Sequence, residues 1–236
     1  MNKANGLYKV GVIGGMGPAS TVFFMDKVVQ HTEASKDQDH IDMVVLNHAT
    51  LPDRTEILAS GEHQPFVEAM IKDAQMLQSL GVSCIAIPCN TAHYFYNEIQ
   101  KSVEIPVINM IEEVVLYVSK MPSVKTVGIL ATNGSLRTKL YENACAKVGL
   151  KAIAPSEGSQ KVLTDIIYKG VKGGNESNLA EFLTLVEELR DRGADVVLLA
   201  CTELSYFKSN TLPLYCVDAM DVLVQKVIEL SGKKWK

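Results

Sequence analysis

The fold is indicated by the stretch Cys84-Ile-Ala-Ile-Pro-Cys89-Asn-Thr-Ala-His93 and by a second stretch, Val196-Val-Leu-Leu-Ala-Cys201-Thr-Glu203. Each begins as a short apolar run, which is typical of a strand buried on both faces of a parallel sheet. Each run ends in a cysteine that small polar residues follow. Two thiols in matching positions could face one small substrate from opposite sides. That layout would take a proton from one face of a carbon and return it to the other.

Elsewhere in the chain, short apolar runs typical of strands alternate with longer segments in which apolar residues recur at the spacing of a helix. Residues 8–13 and 126–130 are predicted strands, and residues 65–80 are a predicted amphipathic helix that Gly81 ends. Such alternation predicts parallel strands joined by right-handed crossovers, so the predicted fold class is α/β. Further predicted segments are strands at 106–109 and 214–217 and helices at 91–103 and 136–148.

The two halves of the chain look like copies of one another. Gly11-Val-Ile-Gly matches Gly128-Ile-Leu-Ala, and Ile85-Ala-Ile-Pro-Cys89 matches Val197-Leu-Leu-Ala-Cys201, in the same order. We therefore predict two pseudo-symmetric, Rossmann-like parallel-sheet domains, residues 1–106 with 215–236 and residues 107–214. Ligands of open α/β sheets bind outside the carboxyl ends of the strands. Polar residues end the predicted strands, so the expected active site is the cleft between the two domains.

The composition excludes several classes of partner. The chain has 236 residues, 47% hydrophobic and 21% charged, as in ordinary globular proteins. A net charge of -4 without a basic run argues against a nucleic-acid partner. No apolar stretch reaches membrane-spanning length, and residues 1–8 do not resemble a signal peptide. Five cysteines are too few for a disulfide scaffold and fit a reducing compartment. We therefore expect a cytoplasmic protein with neither a nucleic-acid nor a membrane partner.

Cys89 and Cys201 have two interpretations. Free cysteine is among the most buried residue types, so burial alone could explain either residue. The polar residues after each cysteine favour a reactive role instead. A thiol at a helix N-terminus has a lowered pKa because the helix dipole and free N–H groups stabilise its thiolate. One thiolate beside one thiol is the state that a two-base proton exchange requires.

A metal site is the rival interpretation of these residues. Cys89 and His93 are four residues apart on one predicted helix and could share a face. Zinc, however, needs three or four ligands, and neither Cys84 nor Cys201 supplies a second close pair. We therefore expect no metal, and we expect His93 to orient or tune the site.

The loop Gly14-Gly-Met-Gly-Pro18 follows the first predicted strand. It lacks the third glycine of the dinucleotide-binding pattern, and the chain has no Gly-Lys-Ser/Thr phosphate loop, so no cofactor is expected. The loop is typical of a tight turn that could present N–H groups to a substrate carboxylate. Arg54 and Lys172 are loop cations suited to a carboxylate, although neither is a strong signal alone.

Three motifs together resemble the aspartate/glutamate racemase family, and specifically its aspartate racemase branch. These motifs are Pro88-Cys-Asn-Thr-Ala-His93, Cys201-Thr-Glu-Leu204 and the Gly14–Pro18 loop. Glutamate racemases proper are less similar because they carry Asp-Ser-Gly near the start and Cys-Thr-His at the second cysteine. This chain has Ile13-Gly-Gly15 and Cys201-Thr-Glu203 at those places.

The resemblance implies a cofactor-independent racemase, free of pyridoxal phosphate (PLP) and homodimeric, with Cys89 and Cys201 as its catalytic pair. Asn90, Thr91 and Thr202 would bind the α-carboxylate. An arginine and a lysine would hold the substrate's second carboxylate, and these correspond to Arg54 and to Lys172, with Lys169 an open alternative. The expected substrate-binding residues are Met16, Asn47, Arg54, Asn90, Thr91, Ala92, Lys172, Thr202 and Glu203.

The implied substrate is a dicarboxylic amino acid, with aspartate preferred. Two alternatives stay open from the sequence. One is a racemase of the same family that acts on glutamate or on several amino acids. The other is a non-catalytic protein that binds an amino acid through the same fold.

Overall fold

The chain divides into two units, each with a parallel sheet. The computed structural model describes residues 9–175, 178–207 and 211–236. The first unit comprises the described residues through Met110 together with Asp221–Lys236, and the second comprises Ile111–Met220. The sequence predicted domain boundaries after residues 106 and 214, and these boundaries stay a prediction.

The sheet of the first unit contains β1 (Val10–Gly14), β2 (Met43–Asn47) and β3 (Cys84–Ala86). The strands run parallel in the order β2-β1-β3. The predicted strand at 106–109 is wrong in extent, because Val107 forms only an isolated parallel bridge to Ile85. The N–H of Val107 is taken by the Gln100 side chain, at 2.7 Å, rather than by another strand.

The helix predicted at 65–80 is observed one residue earlier, at Gln64–Ser79, and two other features of the helices differ from the prediction. The predicted helix at 91–103 opens as a 3-10 turn, Thr91–Phe95, before the α-helix begins. A seven-residue helix after β2 was not predicted, although Asp53 caps it by accepting from the N–H groups of Thr55 and Glu56. The helices are α1 (Pro18–His31), α2 (Arg54–Ser60), α3 (Gln64–Ser79), α4 (Tyr96–Lys101) and, later in the chain, α10 (Ala219–Leu230).

The sheet of the second unit also runs parallel, in the order β5-β4-β6-β7. Its strands are β4 (Thr126–Ala131), β5 (Lys151–Ile153), β6 (Val196–Ala200) and β7 (Cys216–Asp218). The helices are α5 (Met110–Ser119), α6 (Asn133–Arg137), α7 (Leu140–Lys147), α8 (Glu157–Asp165) and α9 (Leu179–Asp191), and a π-helical turn, Ile166–Val171, follows α8. Within the described parts of the chain, no helix is both long and apolar enough to cross a membrane.

Two predictions for the second unit are corrected. The single helix expected at 136–148 is two helices, because Lys139 adopts the left-handed conformation at φ 54° and breaks it. The strand expected at 214–217 begins two residues later, since the N–H of Cys216 first closes a turn onto the Pro213 carbonyl at 2.9 Å. Neither change moves β6, which has the predicted bounds.

A glycine in the central strand of each sheet lets a helix pack closely against it. In the first unit, a Cβ on Gly11 of β1 would lie 3.0 Å from Leu77 of α3. In the second, a Cβ on Gly128 of β4 would lie 3.0 Å from Leu189 of α9. Both leucines are fully buried in the core of their unit. The two units therefore share the same helix-on-sheet packing.

The two sheets also share one topology. Each central strand lies between the strand that follows it in sequence and the strand that ends near a cysteine, which gives β2-β1-β3 in one unit and β5-β4-β6 in the other. The Val107 bridge beside β3 occupies the place that β7 occupies beside β6. The predicted α/β fold, with two equivalent parallel-sheet domains, is confirmed.

The end of the chain returns to the first unit and packs on α1. Lys27 of α1 is buried and forms an ion pair with Asp221 of α10. The Trp235 ring stacks on His31, with 4.3 Å between the ring centroids. The N–H of Lys236 donates to the His31 carbonyl at 2.8 Å. This segment thus completes a unit whose other residues lie more than a hundred positions earlier.

Gly15, in the loop after β1, and Gly61 both have positive φ but differ in their surroundings. Substituting each one tests how tightly the loop after β1 is packed. Gly15 (φ 91°) would place a Cβ 2.3 Å from the backbone carbon of His48, whereas a Cβ on Gly61 (φ 81°) would meet open space. We expect Gly61→Ala to lower the free energy of unfolding by about 1–2 kcal/mol, the cost of the left-handed conformation alone. Gly15→Ala should lower it by about 2–5 kcal/mol because backbone atoms cannot move aside.

Urea unfolding of the two variants beside the wild type measures both losses. Equal losses would show that the contact between Gly15 and His48 does not constrain this loop.

Candidate active site

Cys89 is the third residue beyond β3 and is held in a tight bend. Its N–H donates to the Ile87 carbonyl at 2.8 Å, and its side chain is almost fully buried. The next three residues, Asn90, Thr91 and Ala92, are buried beside it and enter the 3-10 turn. The structure therefore brings this predicted group together within the first unit.

His93 fixes the position of the Cys89 carbonyl. The N–H of Met110 donates to His93 Nε2 at 3.1 Å, and the Ile108 carbonyl oxygen lies 3.2 Å from the same nitrogen. Accepting from Met110 requires that Nε2 carries no proton. The proton is then on Nδ1, which lies 2.9 Å from the Cys89 carbonyl oxygen and donates to it. Burial lowers the pKa of the imidazole, which keeps the ring neutral. His93 thus orients the Cys89 bend by hydrogen bonds to the backbone.

The loop after β1 is a turn closed by side chains. The N–H of Gly15 donates to Thr21 Oγ1 at 2.8 Å, so it is engaged within the protein. Arg54, the first residue of α2, is buried and donates to the carbonyls of Pro52 at 3.0 Å and Met16 at 3.2 Å. Arg54 therefore joins Met16 to α2. Asn47 ends β2 in register with Gly14 and is exposed.

Cys201 directly follows β6 and is paired with a carboxylate. Its thiol donates to Glu203 Oε2 at 2.9 Å, and the Thr202 hydroxyl donates to the same oxygen at 3.3 Å. All three residues are buried. Glu203, which the sequence placed among the substrate-binding residues, contacts the second cysteine through its carboxylate.

Burial, and next the Glu203 carboxylate, raise the pKa of the Cys201 thiol well above its ordinary value. The Lys172 ammonium acts in the opposite direction and lowers this pKa. The sequence predicted a lowered pKa from a helix N-terminus. That expectation is wrong for Cys201, because only a short 3-10 turn follows it and a negative charge lies against the sulfur.

Lys172 and Lys169 have different surroundings. Lys172 follows the π-helical turn, and its Nζ lies 4.4 Å from the centroid of the Tyr168 ring. Its charge also acts on Cys201. The Lys169 side chain is 76% exposed and pairs with Asp165 at 2.9 Å. The geometry of the second unit favours Lys172 over Lys169 as the lysine near the second cysteine.

Two features near these residues were not found from the sequence. Tyr141 of α7 is buried, and burial first, then the charges of Cys145, Cys201 and Asp218, raise its pKa well above the ordinary value. In the first unit, His48 Nδ1 lies 2.8 Å from Asp73 Oδ2. Both features join residues far apart in sequence, so no local pattern signals them. No group of three or more His, Cys, Asp and Glu able to hold a metal ion occurs within the described ranges.

Fold and site together define a class of protein. It is an α/β protein with two equivalent parallel-sheet units, each of which places a buried cysteine where the strand beside the central one ends. Small polar residues follow each cysteine.

Comparisons with known proteins agree with this class. A family model described as Asp/Glu/Hydantoin racemase matches residues 13–227, which include both cysteines. The broad specificity amino-acid racemase RacX of Bacillus subtilis is 31% identical over 204 residues, covering 83% of this chain and 86% of that protein. The Picrophilus torridus aspartate racemase has a TM-score of 0.84 at 29% identity, covering 97% of this chain and 96% of that one. Glutamate racemase RacE1 of Bacillus anthracis shares the fold, with a TM-score of 0.68 at 13% identity, and the match covers 96% of this chain and 84% of that one.

The chain belongs to the Asp/Glu/Hydantoin racemase family. The resemblance seen in its three sequence motifs is thereby confirmed. Family membership makes the protein a racemase of the kind that acts on small amino-acid substrates.

The role of His93 is tested by a variant that keeps its volume and removes its polar atoms. His93→Leu would leave the buried Cys89 carbonyl and Met110 N–H without their partner. We expect the free energy of unfolding to fall by about 2–5 kcal/mol. Asn97→Leu, at an exposed position one turn along, is the control and should change it by less than about 0.5 kcal/mol.

Thermal and urea unfolding of both variants measure the difference. A His93→Leu protein as stable as the Asn97→Leu protein would contradict the assigned hydrogen bonds.

Proposed function

We propose that this protein is a PLP-independent aspartate racemase that interconverts L- and D-aspartate by a two-cysteine proton exchange. The observation that carries the proposal is the equivalence of Cys89 and Cys201. Each is buried and follows the strand beside the central strand of its unit. A duplicated unit with a thiol at the same place in both copies suits a reaction that treats two mirror-image substrates alike.

In the proposed reaction, one cysteine thiolate removes the α-proton and the other cysteine, as a thiol, delivers a proton to the opposite face. The enzyme ends with the two protonation states exchanged, and the reverse reaction uses the same steps. Because the α-proton is weakly acidic, the barrier must be lowered by positioning and by stabilising the charge that develops on the α-carboxylate. We assign that stabilisation to Asn90, Thr91 and Thr202.

The preference for aspartate rests on the two cations and on the relatives. Arg54 and Lys172 are the side chains that we assign to the second carboxylate of the substrate. The Picrophilus torridus relative is named an aspartate racemase and matches nearly the whole chain. We further propose that the protein is a cytoplasmic homodimer that uses no cofactor or metal.

A racemase of broader specificity is the second candidate. The Bacillus subtilis relative is named a broad specificity racemase. A glutamate racemase from Persephonella marina is 24% identical over 156 residues, covering 64% of this chain and 58% of that protein. A protein that binds an amino acid without catalysis is the remaining candidate, and proton exchange distinguishes it from both racemases.

Proton NMR of L-aspartate with the purified protein in D₂O, with chelator present and no added PLP, tests the function directly. Loss of the Cα–H signal together with the appearance of D-aspartate supports cofactor-free racemisation. L-Glutamate and L-alanine in parallel samples separate an aspartate racemase from a broad one. Binding of an amino acid without exchange would favour the non-catalytic protein.

The cysteine pair is tested by single substitutions. We expect Cys89→Ala and Cys201→Ala each to lower kcat for racemisation by at least about 10³-fold, because each removes one of the two proton-transfer groups. Cys216→Ala is the matched control, a partly exposed cysteine outside both motifs, and should keep wild-type activity. Circular dichroism and D-aspartate formation are measured for all three. Full activity in either of the first two variants would contradict the two-base scheme.

The substrate lysine is tested by a matched pair. We expect Lys172→Gln to lower kcat/KM for aspartate by about 10–100-fold, the loss of one charge-assisted hydrogen bond. Lys169→Gln removes a surface ion pair and should change kcat/KM by less than about 2-fold. The reverse pattern would move the role to Lys169.

A further inference from the structure

The Glu203 carboxylate has an unusual environment for a charged group. It is buried in the second unit, with 3% of the residue exposed. One oxygen, Oε2, accepts hydrogen bonds from the Cys201 thiol and the Thr202 hydroxyl. Within the described parts of the chain, the other oxygen, Oε1, is buried without a hydrogen-bond partner. A buried carboxylate that is only half satisfied costs stability, so such a group calls for a functional reason.

The contact with the thiol supplies that reason. When Glu203 is ionised, its oxygen accepts the S–H proton and keeps that proton on sulfur. A thiolate in the same place would put a second negative charge 2.9 Å from the carboxylate in a buried site. The pair therefore holds one proton more readily than none, and the sulfur bears it in the free protein.

We propose that Glu203 is a positioning residue that keeps Cys201 in its thiol form and returns a proton to the sulfur after Cys201 has given its own away. The inference rests on the proposed two-cysteine exchange. After Cys201 donates its proton to the α-carbon, the sulfur is a thiolate. The Glu203 carboxylate takes a proton from a hydronium ion of the solvent and becomes a carboxylic acid, which then passes its proton to the sulfur and is a carboxylate again. Cys89 releases to solvent the proton that it removed from the substrate, so the protein returns to one thiolate and one thiol with no net change in bound protons.

This role makes the two cysteines chemically unequal. Cys201 begins as the acid, so Cys89 begins as the base and the resting protein is poised for the enantiomer whose α-proton faces Cys89. The Lys172 charge near the second cysteine opposes this bias, because it favours the thiolate that Cys201 becomes during turnover. Glu203 and Lys172 thus act in opposite directions on one sulfur.

The competing role for Glu203 is direct binding of the substrate. A carboxylate repels both carboxylates of a dicarboxylic substrate, so such binding would be confined to the amino group. The two roles differ in what a substitution changes, because loss of a group that only binds substrate raises KM, whereas loss of the hold on the thiol moves the titration of Cys201 in the free protein. The decisive measurement is therefore made without substrate.

The experiment follows alkylation of Cys201 by iodoacetamide across a range of pH, with the modified peptide quantified by mass spectrometry. Glu203→Gln keeps the shape and a hydrogen-bond acceptor but removes the charge. In this variant we expect the midpoint pH of Cys201 alkylation to fall by at least about one unit. At a pH below both midpoints, this shift makes alkylation about tenfold faster than in the wild type. Glu203→Asp retains the charge on a shorter side chain, so its midpoint pH should lie between those of the wild type and Glu203→Gln.

A second carboxylate and thiol in the same unit provide the control. Burial, and next the Glu187 carboxylate, raise the pKa of Cys216 to about 12. Glu187→Gln should therefore move the alkylation midpoint of Cys216 and leave that of Cys201 unchanged. Glu203→Gln should do the opposite. An equal shift at both cysteines in Glu203→Gln would indicate general loosening of the unit and would overturn the proposal.

Iodoacetamide reaches a buried sulfur slowly, so Cys201 is also titrated without a reagent. The ultraviolet absorbance of the thiolate is titrated in each protein, and the titration of the matching Cys201→Ala variant is subtracted. The same midpoint for Cys201 in the wild type and in Glu203→Gln would overturn the proposal. If the Cys201 midpoint shifts in Glu203→Gln but the wild-type protein does not racemise aspartate, the effect of Glu203 on the thiol stands and the proposed function is rejected. Racemisation without a shift would reject only the role of Glu203.

Discussion

The close approach of one helix to the central strand of each sheet is the constraint from which the rest of the architecture follows. Gly11 and Gly128 have no Cβ, so Leu77 and Leu189 can pack directly against β1 and β4. A helix seated this closely fixes where the next strand enters the sheet beside the central one. In both units that next strand is the one that ends near a cysteine, β3 or β6. A packing rule expressed in two glycines thus determines where the two thiols lie in their units.

Equivalent positions in the fold nevertheless have different chemistry. Around Cys89, a neutral histidine hydrogen-bonds to backbone groups on both sides of the ring. Around Cys201, a buried carboxylate lies against the sulfur and a lysine acts from the end of a π-helical turn. Rare helical geometry of this kind is frequent at functional sites. The two units share one strand order, and the residues that follow each strand make the two sites distinct.

The sequence predicted the features that depend on neighbouring residues. The bounds of β6, the turn after β1 and the equivalence of the two halves all follow from short patterns around Gly11, Gly128 and the two cysteines. The α2 helix was missed although Asp53 and Gly61 cap it, because seven residues are too few for a helical period to be recognised. The break at Lys139 depends on a left-handed residue that is neither glycine nor asparagine. Tyr141 near Cys201 depends on packing between distant segments, which no local pattern encodes.

The return of the chain to its first unit has a consequence for how the protein is made. The second unit is continuous in sequence, so all of its residues have left the ribosome once Met220 has emerged. The first unit is begun earlier but lacks α10, and Lys27 has no Asp221 and His31 no Trp235 until the last residues of the chain appear. The unit that is synthesised first is therefore the one completed last.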